Sequence, residues 1–325
     1  MKVSVVAYPR LHFGLTDLAG ATGRSYGGIG AHFRGPEVRV EGRADSSFAL
    51  DLGPSHGDEE TKVGDAALRA RASGLPLSGS VTVLKRPPGH VGLGSTTATT
   101  LAVMKALAVL NRWTIDSREL IRLSGRGRTS AIGCNGFFLG GLIVDAGQPG
   151  GSRTTSYLPS IAPEGRSPSL FLGRWEMPTD WNVSLAFVND PPTVNPGSER
   201  SFFEKNTPTA DTDTLQQIAD VFHGMIPALL ETDLDQFGLS LRRFQVKGFK
   251  AREIAAQPQA VRVAIEHLWE AGIPAGLSSL GPTVFAVHGR GSFARITEVL
   301  RGIDLSGPYD FQNAGHELEI YNGPA

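Results

Sequence analysis

The chain has 325 residues, enough for a sizeable core and for two domains of ordinary size. Thirty-one basic and 32 acidic residues leave a formal net charge of -1, with no concentrated positive charge of the kind that nucleic acid or a membrane surface favours. Cys134 is the only cysteine, which excludes an intrachain disulfide and a cysteine metal cluster and suits a reducing compartment.

In chain order, the apolar run 3–7 reads as a first strand, closed by Pro9, which has no backbone donor for pairing. The run is too short for a signal peptide, and no segment reaches about 18 uninterrupted apolar residues, so a cytoplasmic, non-membrane protein is expected. Residues 19–30 read as a flexible, glycine-rich turn region. Short strands are expected over 38–40, 47–50 and 81–83, with a helix over 66–72. Residues 87–95 form a loop. A long helix follows over 96–110, with Leu101, Met104, Leu107 and Ala108 at helical spacing for one buried face and Ser95 able to cap the first turn. A shorter helix is expected over 116–123, another over 132–141, and a strand over 142–144. The Gly-, Ser- and Pro-rich stretch 150–178 marks a boundary between residues 1–165 and 166–325. Beyond it come a strand at 183–188, helices starting at Asp211 and over 234–244 and 259–269, a strand at 282–287 and a final helix over 293–300. Strands and helices mixed in both halves indicate an α+β fold.

The strongest chemical signal is Gly89-His90-Val91-Gly92-Leu93-Gly94-Ser95. Glycines let backbone N–H groups approach a ligand, and such groups at a helix start receive phosphate oxygens. Ser95 and Thr96 add hydroxyls for the phosphate or for a metal bound to it. Arg10 and His12 alternate along a strand and share a face, Asp17 lies near its end, and Arg24 follows; arginine grips phosphate or carboxylate with two prongs, and histidine can move a proton. Arg126, Arg128, Thr129 and Ser130 combine charge and hydroxyls on a flexible backbone. Asp145 follows an apolar strand, where a carboxylate can meet substrate or magnesium. Ser278 and Ser279 sit in a late glycine loop, 276–281.

These stretches together resemble the GHMP-kinase superfamily, and more narrowly the β-ribofuranosylaminobenzene 5'-phosphate synthase family. The narrow resemblance rests on Arg10-Leu11-His12-Phe13-Gly14-Leu15-Thr16-Asp17-Leu18, on Arg24-Ser25-Tyr26-Gly27-Gly28-Ile29-Gly30, on Arg126-Gly127-Arg128-Thr129-Ser130-Ala131-Ile132-Gly133, and on residues 137–147. It implies an N-terminal domain like ribosomal protein S5 domain 2, a ferredoxin-like C-terminal domain and an active site between them. It also implies Mg²⁺, with Ser95 and Asp145 as its candidate ligands, and a homodimer. The implied reaction condenses 5-phosphoribosyl 1-diphosphate with 4-aminobenzoate or a related aromatic acid, releasing carbon dioxide and diphosphate. In that frame Arg10, His12, Asp17 and Asp145 are catalytic candidates. Arg24, Gly89, Gly92, Leu93, Gly94, Ser95, Thr96, Arg126, Arg128, Thr129, Ser130, Ser278 and Ser279 are candidates for holding phosphate or substrate. Superfamily kinases of the mevalonate type carry an aspartate eight positions before the second glycine of a Gly-Gly pair; here that position is Gly133. An ATP-dependent small-molecule kinase and a non-catalytic phosphate-ligand-binding protein stand as the alternatives.

Overall fold

Apolar residues repeating along short strands lay down three sheets. The computed structural model describes residues 1–54, 59–89, 91–152, 155–158, 167–188 and 196–322, with side chains from 199 onward in the last span. The first half forms β1 (Lys2–Ala7), β2 (Arg10–Asp17), β3 (Arg24–His32), β4 (Val38–Arg43), β5 (Phe48–Asp51), α1 (Glu59–Ala72), β6 (Gly79–Lys85), α2 (Ser95–Leu110), α3 (Ser117–Ser124), α4 (Ile132–Leu139), β7 (Leu142–Asp145) and β8 (Gln148–Pro149). The second half adds β9 (Phe171–Trp175), β10 (Trp181–Phe187), α5 (Pro196–Asn206), α6 (Asp211–Asp220) and a π-helical stretch (Val221–Met225). It continues with α7 (Ile226–Leu230), α8 (Leu234–Gln245), α9 (Gly248–Ala255), α10 (Gln259–Glu270), β11 (Ala275–Leu277), β12 (Val284–Gly289), α11 (Phe293–Val299), β13 (Asp304–Asp310) and β14 (Glu317–Tyr321).

The first sheet has the order β14-β1-β4-β6-β5, antiparallel except between β5 and β6. Val3, Val5, Val40 and Val81 bury their side chains with Leu101, Met104 and Leu107 of α2 in one cluster. A single buried face was expected for α2. Thr99, Thr100, Ala102, Val103 and Ala106 are buried as well, because α1, α3 and α4 pack around the sides the sheet leaves open. Its N-cap is Gly94, in the left-handed region at φ 78, and Ser95 is not the cap; the Ser95 hydroxyl turns back to donate to Pro87 O at 3.2 Å.

The second sheet, β2-β3-β7-β9 with β8 alongside β3, corrects the reading of residues 19–30 as a flexible turn. Only the stretch before Arg24 is a turn; residues 24–32 form a nine-residue strand that is almost wholly buried. Its glycines serve close approach rather than looseness, since a Cβ on Gly30 would lie 2.2 Å from Leu11 O. The register of β2 against β3 shifts between His12 and Gly14, a bulge that re-aims the side chains on either side of it.

The third sheet has the order β11-β12-β10-β13 and is antiparallel throughout. Along the chain it reads strand, helices, strand, strand, helix, strand. The helices α9 and α5 fall where the sequence suggested no element. The boundary at 165/166 lies outside the described residues. A cut there would part β9 and β14 from the first-half strands they pair with.

Phe13 of β2 ties the halves together. Its ring stacks on Phe285 of β12 (centroids 5.2 Å apart) and meets Phe237 of α8 edge-on at 6.3 Å. Phe13→Ala is expected to cost about 3–5 kcal/mol of stability. Urea unfolding followed by far-UV circular dichroism and by tryptophan fluorescence should show one coincident, earlier transition, with Trp113 reporting from the first-half cluster and Trp181 from the cluster that holds Phe13.

Candidate active site

A polar pocket opens where β2, the N-terminal ends of α2 and α4, and the second half meet. Its walls include Arg10, His12, Thr97, Arg126, Thr129, Ser130 and Gly133 from the first half, with Glu199, Phe203, Glu253, Ser279 and Leu280 from the second. Arg10 and His12 are neighbours in this wall, as their alternation on β2 predicted.

The 91–94 loop forms the adjoining edge, and its polarity is set by what grips it. Among the described residues, the hydrogen bonds made to it fall on carbonyl oxygens. Thr283 Oγ1 donates to Val91 O at 2.6 Å and Ser278 Oγ to Gly92 O at 2.7 Å. The Arg10 guanidinium also donates to Gly92 O, and Arg10 N donates to Leu93 O at 3.1 Å. Leu93 drives its side chain into the core. Gly92 has φ 87 and lies so near the late glycine loop that a Cβ would come within 2.2 Å of Ser278 O, so no larger residue fits there. Among the described residues, none of the N–H groups of residues 91–96 donates to a protein acceptor. Thr96 stands in the first turn of α2, half-buried, and Gly89 lies ahead of the loop; His90 is outside the described residues.

Burial shapes the electrostatics. The Arg10 guanidinium is pushed down to about 10 by desolvation and then by repulsion from Arg126, so it stays cationic at neutral pH. Arg126 Nε donates to Thr97 Oγ1 at 3.1 Å. His12 is held well below its ordinary value, first by burial and then by the charges of Arg10 and Lys250, so the ring is neutral; its Nδ1 has no hydrogen-bond partner.

Several predicted residues do other work. Asp17 is absent from the pocket wall. Its carboxylate accepts from the backbone N–H groups of Ala19, Gly20, Ala21 and Thr22 and from the Thr22 hydroxyl, which ties the β2–β3 turn and leaves no oxygen for substrate. Arg24 is also elsewhere, donating to Ala146 O at 2.6 Å and Gly147 O at 3.1 Å. Asp145 is buried behind the wall. It accepts from Ser130 Oγ, Ala131 N and Gly147 N at 3.1, 2.9 and 3.1 Å, and so aims Ser130 at the pocket without entering it. The Arg128 side chain is not part of the wall, and its carbonyl accepts from Gln148 Nε2 at 2.7 Å, which holds the loop from behind. Ser278 acts as a clamp on the loop, whereas Ser279 lines the pocket.

The sequence reading missed Thr97, Glu199, Phe203 and Glu253. The i, i+3 pair Lys250 and Glu253 was a usable signal for a helix there. Of the candidate magnesium ligands, Ser95 donates its hydroxyl to Pro87 O, and Asp145 accepts from Ser130 Oγ, Ala131 N and Gly147 N. Among the described residues no group of three His, Cys, Asp or Glu could hold a metal, and no helix is long and apolar enough to cross a membrane.

The profile of the GHMP kinases N-terminal domain matches residues 62–141, a span containing α2, the loop before it and α4. Over 285 residues the chain is 33% identical to the β-ribofuranosylphenol 5'-phosphate synthase of Methanothermobacter thermautotrophicus, covering 86% of each chain. Over 278 residues it is 33% identical to the enzyme of the same name from Archaeoglobus fulgidus, covering 86% of this chain and 85% of that one. The chain belongs to the β-ribofuranosylphenol 5'-phosphate synthase family, within the GHMP kinase superfamily. It is therefore a GHMP-type transferase. The fold is shared more widely: homoserine kinase from Cytophaga hutchinsonii superposes with a TM-score of 0.68 at 15% identity, over 98% of this chain and 97% of that one. Mevalonate diphosphate decarboxylase from Staphylococcus aureus gives 0.63 at 14%, over 98% of both.

Within this synthase family member, two aspartates should separate on mutation. Asp17→Ala is expected to lower the melting temperature by several degrees, with kcat of the folded protein nearly unchanged, because the carboxylate holds a turn and not a substrate. Asp145 is raised by burial to about 6 in the folded protein. The folded state then binds the proton more tightly than the unfolded chain, so this group's stabilising contribution is complete in acid and is lost as pH rises through about 4 to 6. Asp145→Asn should remove that slope from a plot of urea stability against pH; an unchanged slope would assign it to other groups.

Proposed function

We propose that this enzyme joins C1 of the ribose of 5-phosphoribosyl 1-diphosphate to the carboxylate-bearing ring carbon of an aromatic acid, releasing carbon dioxide and diphosphate. The observation that carries the reading is the pocket wall itself. Two arginines with the hydroxyl residues Thr97, Thr129 and Ser130 suit an anionic donor, while the position expected of a kinase aspartate is Gly133, seated against Arg10 and Thr97 with no carboxylate to activate a hydroxyl. The relatives are named for a ribofuranosylphenol product. A phenol product requires a ring hydroxyl on the acceptor, so 4-hydroxybenzoate stands beside 4-aminobenzoate as the substrate.

In this mechanism the N–H groups of residues 91–96 receive the leaving diphosphate as the C1–O bond breaks, stabilising charge as it develops. Arg10 and Arg126 hold the remaining anionic group. The neutral His12 ring offers its free nitrogen to a hydroxyl without adding charge beside the cationic ribose. The ring carbon attacks C1, and loss of carbon dioxide restores aromaticity. No covalent enzyme intermediate is required. On the same reading, the strand and helix order of the second half is the ferredoxin-like domain, the first half is the S5-domain-2-like one, and the enzyme works as a cytoplasmic homodimer.

Incubation with 5-phosphoribosyl 1-diphosphate, Mg²⁺ and either acid should release carbon dioxide and diphosphate in a 1:1 ratio (the stoichiometry of the proposed reaction) and yield a C-riboside 5'-phosphate detectable by mass spectrometry. Phosphate transfer from ATP to a hydroxylated compound, without carbon dioxide release, would replace this reading with a kinase.

A further inference from the structure

The pocket lining carries acid as well as base. Besides Arg10 and Arg126 it includes Glu253 of α9, and the surroundings of that carboxylate are unusual. Lys250, one helical turn earlier, is completely buried. Its ammonium group has three protons and three acceptors: Leu277 O at 3.4 Å, Ser279 O at 3.0 Å and Glu253 Oε2 at 2.5 Å. Lys250 thus fixes one oxygen of Glu253 and, through two carbonyls, the Ser279 loop on the same wall. The other oxygen, Oε1, has no donor among the described residues and belongs to a residue that lines the pocket. Lys250 from its own helix and Arg10 from β2 are the cations that act on Glu253, and it shares the pocket lining with His12 of β2, Ser279 and Leu280 of the late loop, and Glu199 and Phe203 of α5.

A carboxylate in a pocket built for anions repels an acceptor's acid group and welcomes a hydrogen-bond donor. An aromatic acid therefore binds with its carboxylate toward the arginines and its ring hydroxyl or amino group toward α9. We infer that Glu253 is the catalytic residue that takes the proton from this ring substituent, an inference that rests on the reaction proposed above. The O–H bond breaks as the proton passes to Glu253 Oε1, and the oxygen lone pair enters the ring. The para ring carbon forms its bond to ribose C1 while the C1–O bond to diphosphate breaks. The carbon–carboxylate bond then breaks, its electron pair restores the aromatic ring, carbon dioxide leaves, and the proton returns from Glu253 to the oxygen. No oxidant or further reactant is needed. His12 is less suited to this step: burial among cations weakens it as a base, whereas burial raises the proton affinity of Glu253.

Glu253→Gln keeps the shape and one accepting oxygen but removes the basicity. With 4-hydroxybenzoate and 5-phosphoribosyl 1-diphosphate, kcat should fall by about 10²- to 10⁴-fold while KM for the acid changes by no more than about threefold. Diphosphate affinity, measured by calorimetry, should be unchanged. The deciding comparison uses 3,5-difluoro-4-hydroxybenzoate, whose ring hydroxyl is far more acidic and needs less help to ionise. The ratio of wild-type to variant kcat should shrink markedly with that acid, which a merely structural role for Glu253 would not produce. Should Glu253→Gln fail to fold with Lys250 left unbalanced, the double variant Lys250→Met with Glu253→Gln removes both charges and should show the same dependence on the acid. Wild-type kcat in a folded Glu253→Gln, or an equal loss with both acids, would overturn the assignment. Absence of riboside from wild-type enzyme would overturn the reaction proposed above, and this role with it.

Discussion

Every feature of the site depends on which edge of the 91–94 loop the protein holds. A peptide segment has a donor edge and an acceptor edge, and a loop gripped by its carbonyls has its N–H groups left for something else. Arg10, Ser278 and Thr283 do the gripping. Two of these three come from the second half of the chain, more than 180 residues away, so the loop takes this shape only in the assembled molecule. Its close approach is possible because Gly92 and Gly281 are back to back: a Cβ on Gly281 would lie 2.4 Å from Gly92 N. The glycine loop is therefore one half of an interlocked pair.

The same dependence governs the pocket wall. β2 presents Arg10 and His12 on one face and packs Leu11 and Phe13 into the core shared with β10, β12 and α8 on the other. This strand is thus anchored on the half that supplies Glu253 and Ser279, which fixes their relative placement by close packing. Buried polar groups behind the wall complete the support. Asp145, Gln148 and Asp17 spend their hydrogen bonds on loop backbone, a role that their charge or polarity disguises in the sequence.

What was legible in the sequence was periodic or local. The long helix after the loop, the strands over 38–40 and 81–83, and the pairing of Arg10 with His12 all follow from short-range spacing, and the structure has them nearly where they were expected. Residues 24–32 were misread because Gly27, Gly28 and Gly30 look like turn formers when the neighbouring strand is unknown; their purpose is visible only beside Leu11 and His12. Asp17 and Arg24 carry the right chemistry for a site, and only the fold shows that backbone groups have claimed them. Glu253 was invisible for the opposite reason. Its one local partner, Lys250, signals a helix and not a site, and Glu253 becomes a pocket residue only where α9 meets β2, α5 and the late loop.

The placement of β14 has a consequence for biosynthesis. This strand belongs to the second half and pairs with β1 of the first, so β1 keeps one side open until Glu317–Tyr321 has been synthesised. During that interval the backbone donors and acceptors along Val3–Val6 form an uncovered edge, the kind of surface on which nascent chains associate wrongly. Completion of this sheet thus waits on a strand made long after its neighbour, and a chain lacking Glu317–Tyr321 would carry a permanently unsealed margin.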